Sequence, residues 1–116
     1  MDPTSRARSA LYLGIAGAAL YATWSENLAF FALPDNGGIA GFVAGVFANP
    51  AAASIGYDLL FLLAAVLVWM FAESRRLGIR FVWIYVVLSF VIAISVTFPL
   101  FLVAREWRLA ELERRA

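Results

Sequence analysis

The hydrophobic positions fall into three long apolar runs, broken by two short polar stretches. A helix needs about 20 predominantly apolar residues to cross a bilayer, and each run has that length. The first covers residues 9–33 and ends at Pro34-Asp35-Asn36-Gly37-Gly38, where turn formers cluster and proline cannot continue a helix. The second covers residues 50–74, with Asn49 as N-cap and Pro50 at the first helical position. The third covers residues 81–104. The pattern predicts an all-α fold, an integral membrane bundle of three transmembrane helices forming a single domain over residues 1–116. A cleavable signal peptide is the rival reading of the first run, but Tyr21, Thr23 and Trp24 stand where a small-x-small cleavage site belongs.

Between the first two runs lies a fourth apolar stretch, residues 38–48, about 16 Å long as a helix and too short to cross. Gly37, Gly41 and Gly45 recur every four residues and form a smooth stripe. The segment is either an interfacial helix over the bundle or a re-entrant piece lining a cavity. Residues 105–116 form a charged tail that extends the third helix, with Trp107 suited to the headgroup level.

Orientation is read from arginine. Arg6 and Arg8 precede the first run, and Arg75, Arg76 and Arg80 lie between the second and third. Cytoplasmic loops carry the excess of basic residues, which places the N-terminus and the 75–80 turn in the cytoplasm of a bacterial inner membrane. Three crossings would then put the tail outside. Arg105, Arg108, Arg114 and Arg115 argue against that side.

Composition narrows the chemistry. Hydrophobic residues make up 64% and charged ones 15%, too little polar surface to cover a soluble globule of this size. The chain has no Cys and no His, so thiol chemistry and Cys- or His-ligated metals are excluded and no metal site is expected. Every basic residue is Arg, which excludes a Schiff-base cofactor. A net charge of +1 gives no basic groove for nucleic acid.

Carboxylates inside the apolar runs are the informative positions, because each costs about 2.5–3.5 kcal/mol at a helix centre. Glu26 and Asp58 lie about 8 and 7 Å from the midpoints of their runs, both displaced towards the outer side. Thr97 falls at a similar depth in the third run, just before Pro99, with Asn27, Tyr57 and Ser95 within about a turn. Gly14, Ala18 and Ala22 lead at four-residue spacing to Glu26, and Ser89 and Ala93 lead to Thr97, so both stripes are expected at helix interfaces. Glu26 and Asp58 are expected either to pair with Asn27, Tyr57 or an Arg105 that reaches inward and lock the bundle, or to fix a partner helix or an apolar ligand such as an isoprenoid, quinone or carotenoid. A protonated Asp58 or Glu26 would otherwise act as the acid of a membrane-embedded isoprenoid cyclase or isomerase. The same residues would carry protons or ions in an oligomer. A second cluster, Glu73, Arg75, Arg76 and Arg105, reads as an interfacial anchor against membrane lipid.

The order Phe47-Ala48-Asn49-Pro50, Asp58-Leu59-Leu60, Trp69, Glu73-Ser74-Arg75-Arg76-Leu77-Gly78, Trp83, Ser95, Pro99-Leu100-Phe101-Leu102 and Arg105-Glu106 resembles one domain-of-unknown-function family of small bacterial multi-pass membrane proteins, found in cyanobacteria and actinobacteria. The resemblance covers about the C-terminal 60% of the chain and leaves Glu26 outside. It implies no activity, but it marks Asp58, Glu73, Arg75, Arg76 and Arg105 as family-pattern positions. Three helices bury little interior, so a homo-oligomer or a place in a larger complex is expected. The function expected from the residues is that of a non-enzymatic accessory subunit or an apolar-ligand binding protein.

Overall fold

The computed structural model describes Met1–Ala116 and is helical throughout. Helix α1 runs over Pro3–Ala32, α2 over Gly38–Val46, α3 over Pro50–Leu77, α4 over Val82–Leu88, and α5 over Ile94–Arg115. A wider, π-type turn over Ser89–Ala93 joins α4 to α5. Local chemistry sets most of the ends. Asp2 caps α1 by accepting from the Ser5 amide at 2.7 Å, and Asn49 caps α3 by accepting from the Ala52 amide at 2.9 Å, each with proline following. Helix α3 stops at Gly78, whose φ of +70° suits glycine.

Two helical stretches are long and apolar enough to cross a membrane by length and composition, Pro50–Leu77 and Val82–Arg115. Helix α1 is not among them, because Tyr12, Thr23, Trp24, Ser25, Glu26 and Asn27 dilute it. The three crossing helices expected from the sequence are therefore reduced to two candidates.

The second candidate is not straight. Ser89 and Thr97 are eight residues apart, about 12 Å along a continuous helix, yet their hydroxyls meet at 2.6 Å. Tyr85 and Phe101, about 24 Å apart on the same reckoning, have ring centroids 5.6 Å apart. Between them Ala93 is extended, with φ 175° and ψ 142°. The chain reverses there, and α4 with its π-type turn lies antiparallel to α5 as a helical hairpin. Serine, alanine and threonine at the fold let the arms approach closely.

The contacts fix the remaining directions. Ser5 and Arg8 of α1 reach Glu106 of α5, and Trp24 reaches Ile92, so α1 runs antiparallel to α5. Trp69, Glu73 and Leu77 of α3 meet Phe98, Arg105 and Arg108 in order, so α3 runs parallel to α5. The N-terminus, the 78–81 turn and the C-terminal tail consequently share one end. The tail therefore lies at the same end of the bundle as the N-terminus, where three straight spans would have put it at the opposite end.

At the far end α2 bridges α1 and α3. Phe42 meets Phe30 and Phe31 of α1, while Phe47 meets Tyr57 and Val46 approaches Gly56. A Cβ at Gly41 would run into the Asn36 carbonyl, so the glycine there lets α2 sit against the preceding turn. No residue of α2 is buried. The segment caps the end of the bundle and does not insert between the helices. The core sits in the other half, where Met70, Leu77, Val96, Thr97, Pro99 and Phe101 are buried around α5.

Candidate functional site

The fold divides the molecule into two polar regions of opposite character. All nine arginines gather at the end holding both termini, with Asp2, Glu73, Glu106, Glu111 and Glu113. The far half carries Glu26, Asp35 and Asp58 and no cation.

The basic end is tightly paired. Glu106 is 3% exposed and accepts from Arg8 Nε at 2.8 Å, Arg8 Nη2 at 3.2 Å and the Ser5 hydroxyl, which ties the start of α1 to α5. Glu73, also buried, accepts from Arg105 Nε at 3.0 Å and from Arg76, which ties α3 to α5. Arg105 also lies over the Trp69 ring, 5.7 Å from its centroid. Arg108 donates from Nε to the Leu77 carbonyl at 2.6 Å, an orphan acceptor at the end of α3, and from Nη1 to Glu111 at 3.0 Å. Arg75 is exposed and makes no side-chain hydrogen bond. Of the interfacial cluster read from the sequence, the structure brings together Glu73, Arg76 and Arg105.

The outer polar layer divides differently. Thr97 is buried in the hairpin, bonded to Ser89 and to the Ala93 carbonyl at 3.2 Å, while Ser95 is exposed on the descending arm. The hairpin tip ends at the level of Trp24, whose indole N–H donates to the Ile92 carbonyl at 3.1 Å. Glu26 lies beyond that level, about 8 Å along the axis from Thr97. Asp58 lies about 22 Å above Glu73 on α3, and Glu26 about 27 Å above Arg8 on α1, so the two carboxylates share a level to within about 5 Å. They do not meet: α1 and α3 are joined through α2 and α5 and do not pack along one another. Both carboxylates are exposed and neither accepts a hydrogen bond from the chain. Tyr57 packs on Phe47, and Asn27 is half-buried.

Ser5, Arg8, Trp24 and Glu106 are structural residues that the run pattern does not mark. The one sequence signal for them is the arginine-rich tail, which conflicts with an odd number of crossings and resolves once the chain reverses at Ala93. No group of three or more Asp and Glu is placed to hold a metal ion.

No curated protein and no solved structure matches the chain. Residues 11–107 match a family described as protein of unknown function DUF2834, which includes Glu26 as well as Asp58 and so reaches further towards the N-terminus than the motifs around Phe47–Glu106 indicate. With 97 of its 116 residues matched, the chain belongs to the DUF2834 family.

Proposed function

We propose that this protein is a non-enzymatic accessory subunit of the bacterial cytoplasmic membrane, in which α3 crosses as a span in its own right, α1, too polar to qualify alone, crosses packed against α5, and the α4–α5 hairpin enters from the cytoplasmic side to part depth. The lengths support the hairpin placement. The rising arm, Val82–Ala93, is about 18 Å long, against a hydrocarbon thickness of about 30 Å. Large apolar side chains such as Tyr21, Ile55, Phe61 and Phe90 are at least two-thirds exposed, a surface suited to lipid. Two crossings place both termini on one side. The nine arginines at that end make it the cytoplasmic one.

The observation that carries the accessory role is the state of Glu26 and Asp58. Both are exposed, unbonded and set among apolar side chains in the half of the molecule that lacks arginine. Polar groups at such depth find partners, and here the donors have to come from outside the chain. The faces bearing them are open, which suits a helix of another subunit better than an isoprenoid, quinone or carotenoid, because small ligands bind in enclosing pockets. An acid catalyst for a cyclase or isomerase also requires a dry pocket, and neither carboxylate stands in one. Cross-linking in intact membranes followed by native mass spectrometry tests this. A stoichiometric partner held by the wild type and lost in Glu26→Gln or Asp58→Asn supports it. A monomer carrying a bound isoprenoid or quinone would overturn it, and so would a homo-oligomer with no second protein.

A further inference from the structure

The 78–81 turn, α4 and the last turns of α5 enclose an open groove of about 880 Å³ at the basic end. Its walls are amphipathic. Tyr85 and Leu100 lie towards the apolar core, Trp107 and Arg80 at the rim, with Arg108 and Arg115 on α5. Glu111 is the single carboxylate in the lining, and it accepts from both Arg108 at 3.0 Å and Arg115 at 2.7 Å. Three guanidinium groups therefore face one carboxylate, and the groove keeps a surplus of positive charge.

We propose that this groove binds the phosphate of an anionic phospholipid, with an acyl chain lying against Tyr85 and Leu100. The arginines are prepared for it to different degrees. Arg108 is held by the Leu77 carbonyl and Glu111, which occupy Nε and Nη1 and leave the Nη2 donors without a partner. That nitrogen sits 3.1 Å from where a Cβ at Gly78 would be, so the glycine keeps the space beside it open. Arg80 is exposed and makes no hydrogen bond within the chain. A phosphodiester oxygen is a charge-assisted acceptor that suits both. The apolar wall distinguishes a lipid from a free anion, because inorganic phosphate gains nothing from Tyr85, Leu100 and Trp107. Their order, apolar towards the core and basic at the rim, matches the passage from hydrocarbon to headgroup.

The proposal rests on the membrane placement above, and its test separates the two. The full-length chain in detergent micelles is titrated with phosphatidylglycerol or phosphatidylcholine, and bound lipid is counted by native mass spectrometry. Phosphatidylglycerol is expected to be retained about tenfold more strongly. Arg80→Gln should remove most of that preference, a loss of about five- to tenfold, since a charge-assisted hydrogen bond is of that order. Arg75→Gln, an unpaired arginine at the same end that does not line the groove, should change retention less than twofold. Equal retention of the two lipids would overturn the proposal, as would equal losses in Arg75→Gln and Arg80→Gln, which would indicate diffuse charge alone. Full displacement of the lipid by millimolar inorganic phosphate would make the groove a free-anion site and overturn it too. Failure of the membrane placement reads out separately, as a C-terminal reporter outside the cytoplasm.

Discussion

The reversal at Ala93 can be tested with a single disulfide, because the chain contains no cysteine to compete. The perturbation is the double substitution Ser89→Cys and Thr97→Cys. In the hairpin the two hydroxyl oxygens are 2.6 Å apart, which places the β-carbons within about 5 Å, at the upper edge of the range that a disulfide spans with slight adjustment. In a continuous helix the same residues would be separated by about 12 Å along the axis, and no rotamer could close that gap. The prediction is thus nearly all-or-none. Mild oxidation in native membranes should give an intramolecular bond, seen as a loss of two hydrogens in the intact mass and as protection from a thiol-reactive label added after denaturation, since both positions are buried in the folded chain. Each single substitution should remain fully labelled. Free thiols in the oxidised double variant would refute the hairpin, together with the shared end for both termini and the part-depth insertion.

Four other outcomes follow from the same contacts. A reporter fused after Ala116 is expected on the cytoplasmic side and one inserted at Gly37 on the other; opposite sides for the N- and C-termini would contradict two crossings. Gly78→Ala should destabilise the protein by about 1–2 kcal/mol in thermal or denaturant unfolding, because φ is +70° and the new Cβ would meet Arg108 at 3.1 Å. Ser74→Ala should be neutral or stabilise by up to about 1 kcal/mol in the same assay, since the buried Ser74 hydroxyl has no hydrogen-bond partner. Trp24→Phe keeps an aromatic side chain but loses the indole N–H that bonds the Ile92 carbonyl and part of the ring, and should cost at least about 1 kcal/mol with faster amide exchange at the hairpin tip.

Although the end of α3 lies three residues beyond the expected 74, at Leu77 before Gly78, helix existence and the cap at Asn49-Pro50 were legible in the sequence because they depend on local chemistry, run length and a side-chain acceptor. The reversal was not legible for the same reason. Phe90-Val91-Ile92-Ala93-Ile94-Ser95-Val96 holds no glycine, proline or asparagine, so nothing local signals a turn. Pro99 draws attention as the helix breaker, yet it lies buried inside α5, six residues beyond the fold. The spacing of Ser89, Ala93 and Thr97 reads as a packing stripe for another helix. It is the contact between the two arms of its own hairpin, a tertiary fact that periodicity does not carry. Of the polar residues, Glu73 was recognisable from its flanking arginines. Glu106 was not, because its partners Ser5 and Arg8 stand about a hundred residues away and come near only after the chain turns back.

The hairpin also accounts for where the molecule is satisfied and where it is not. Because α5 descends from the tip at Trp24, its length is spent in the basic half, and there every buried carboxylate finds guanidinium donors. That half is also where nearly all the buried side chains lie. Above the tip no third helix runs beside α1 and α3, so Glu26 and Asp58 stay exposed and unpaired within the chain. A straight third span would have carried α5 past that level and brought Thr97 and Ser95 towards the carboxylates, closing a polar layer within one chain. Folding back leaves that layer open and moves the C-terminal arginines to the other end. One extended residue thus decides both which end is basic and which half leaves its carboxylates unpaired.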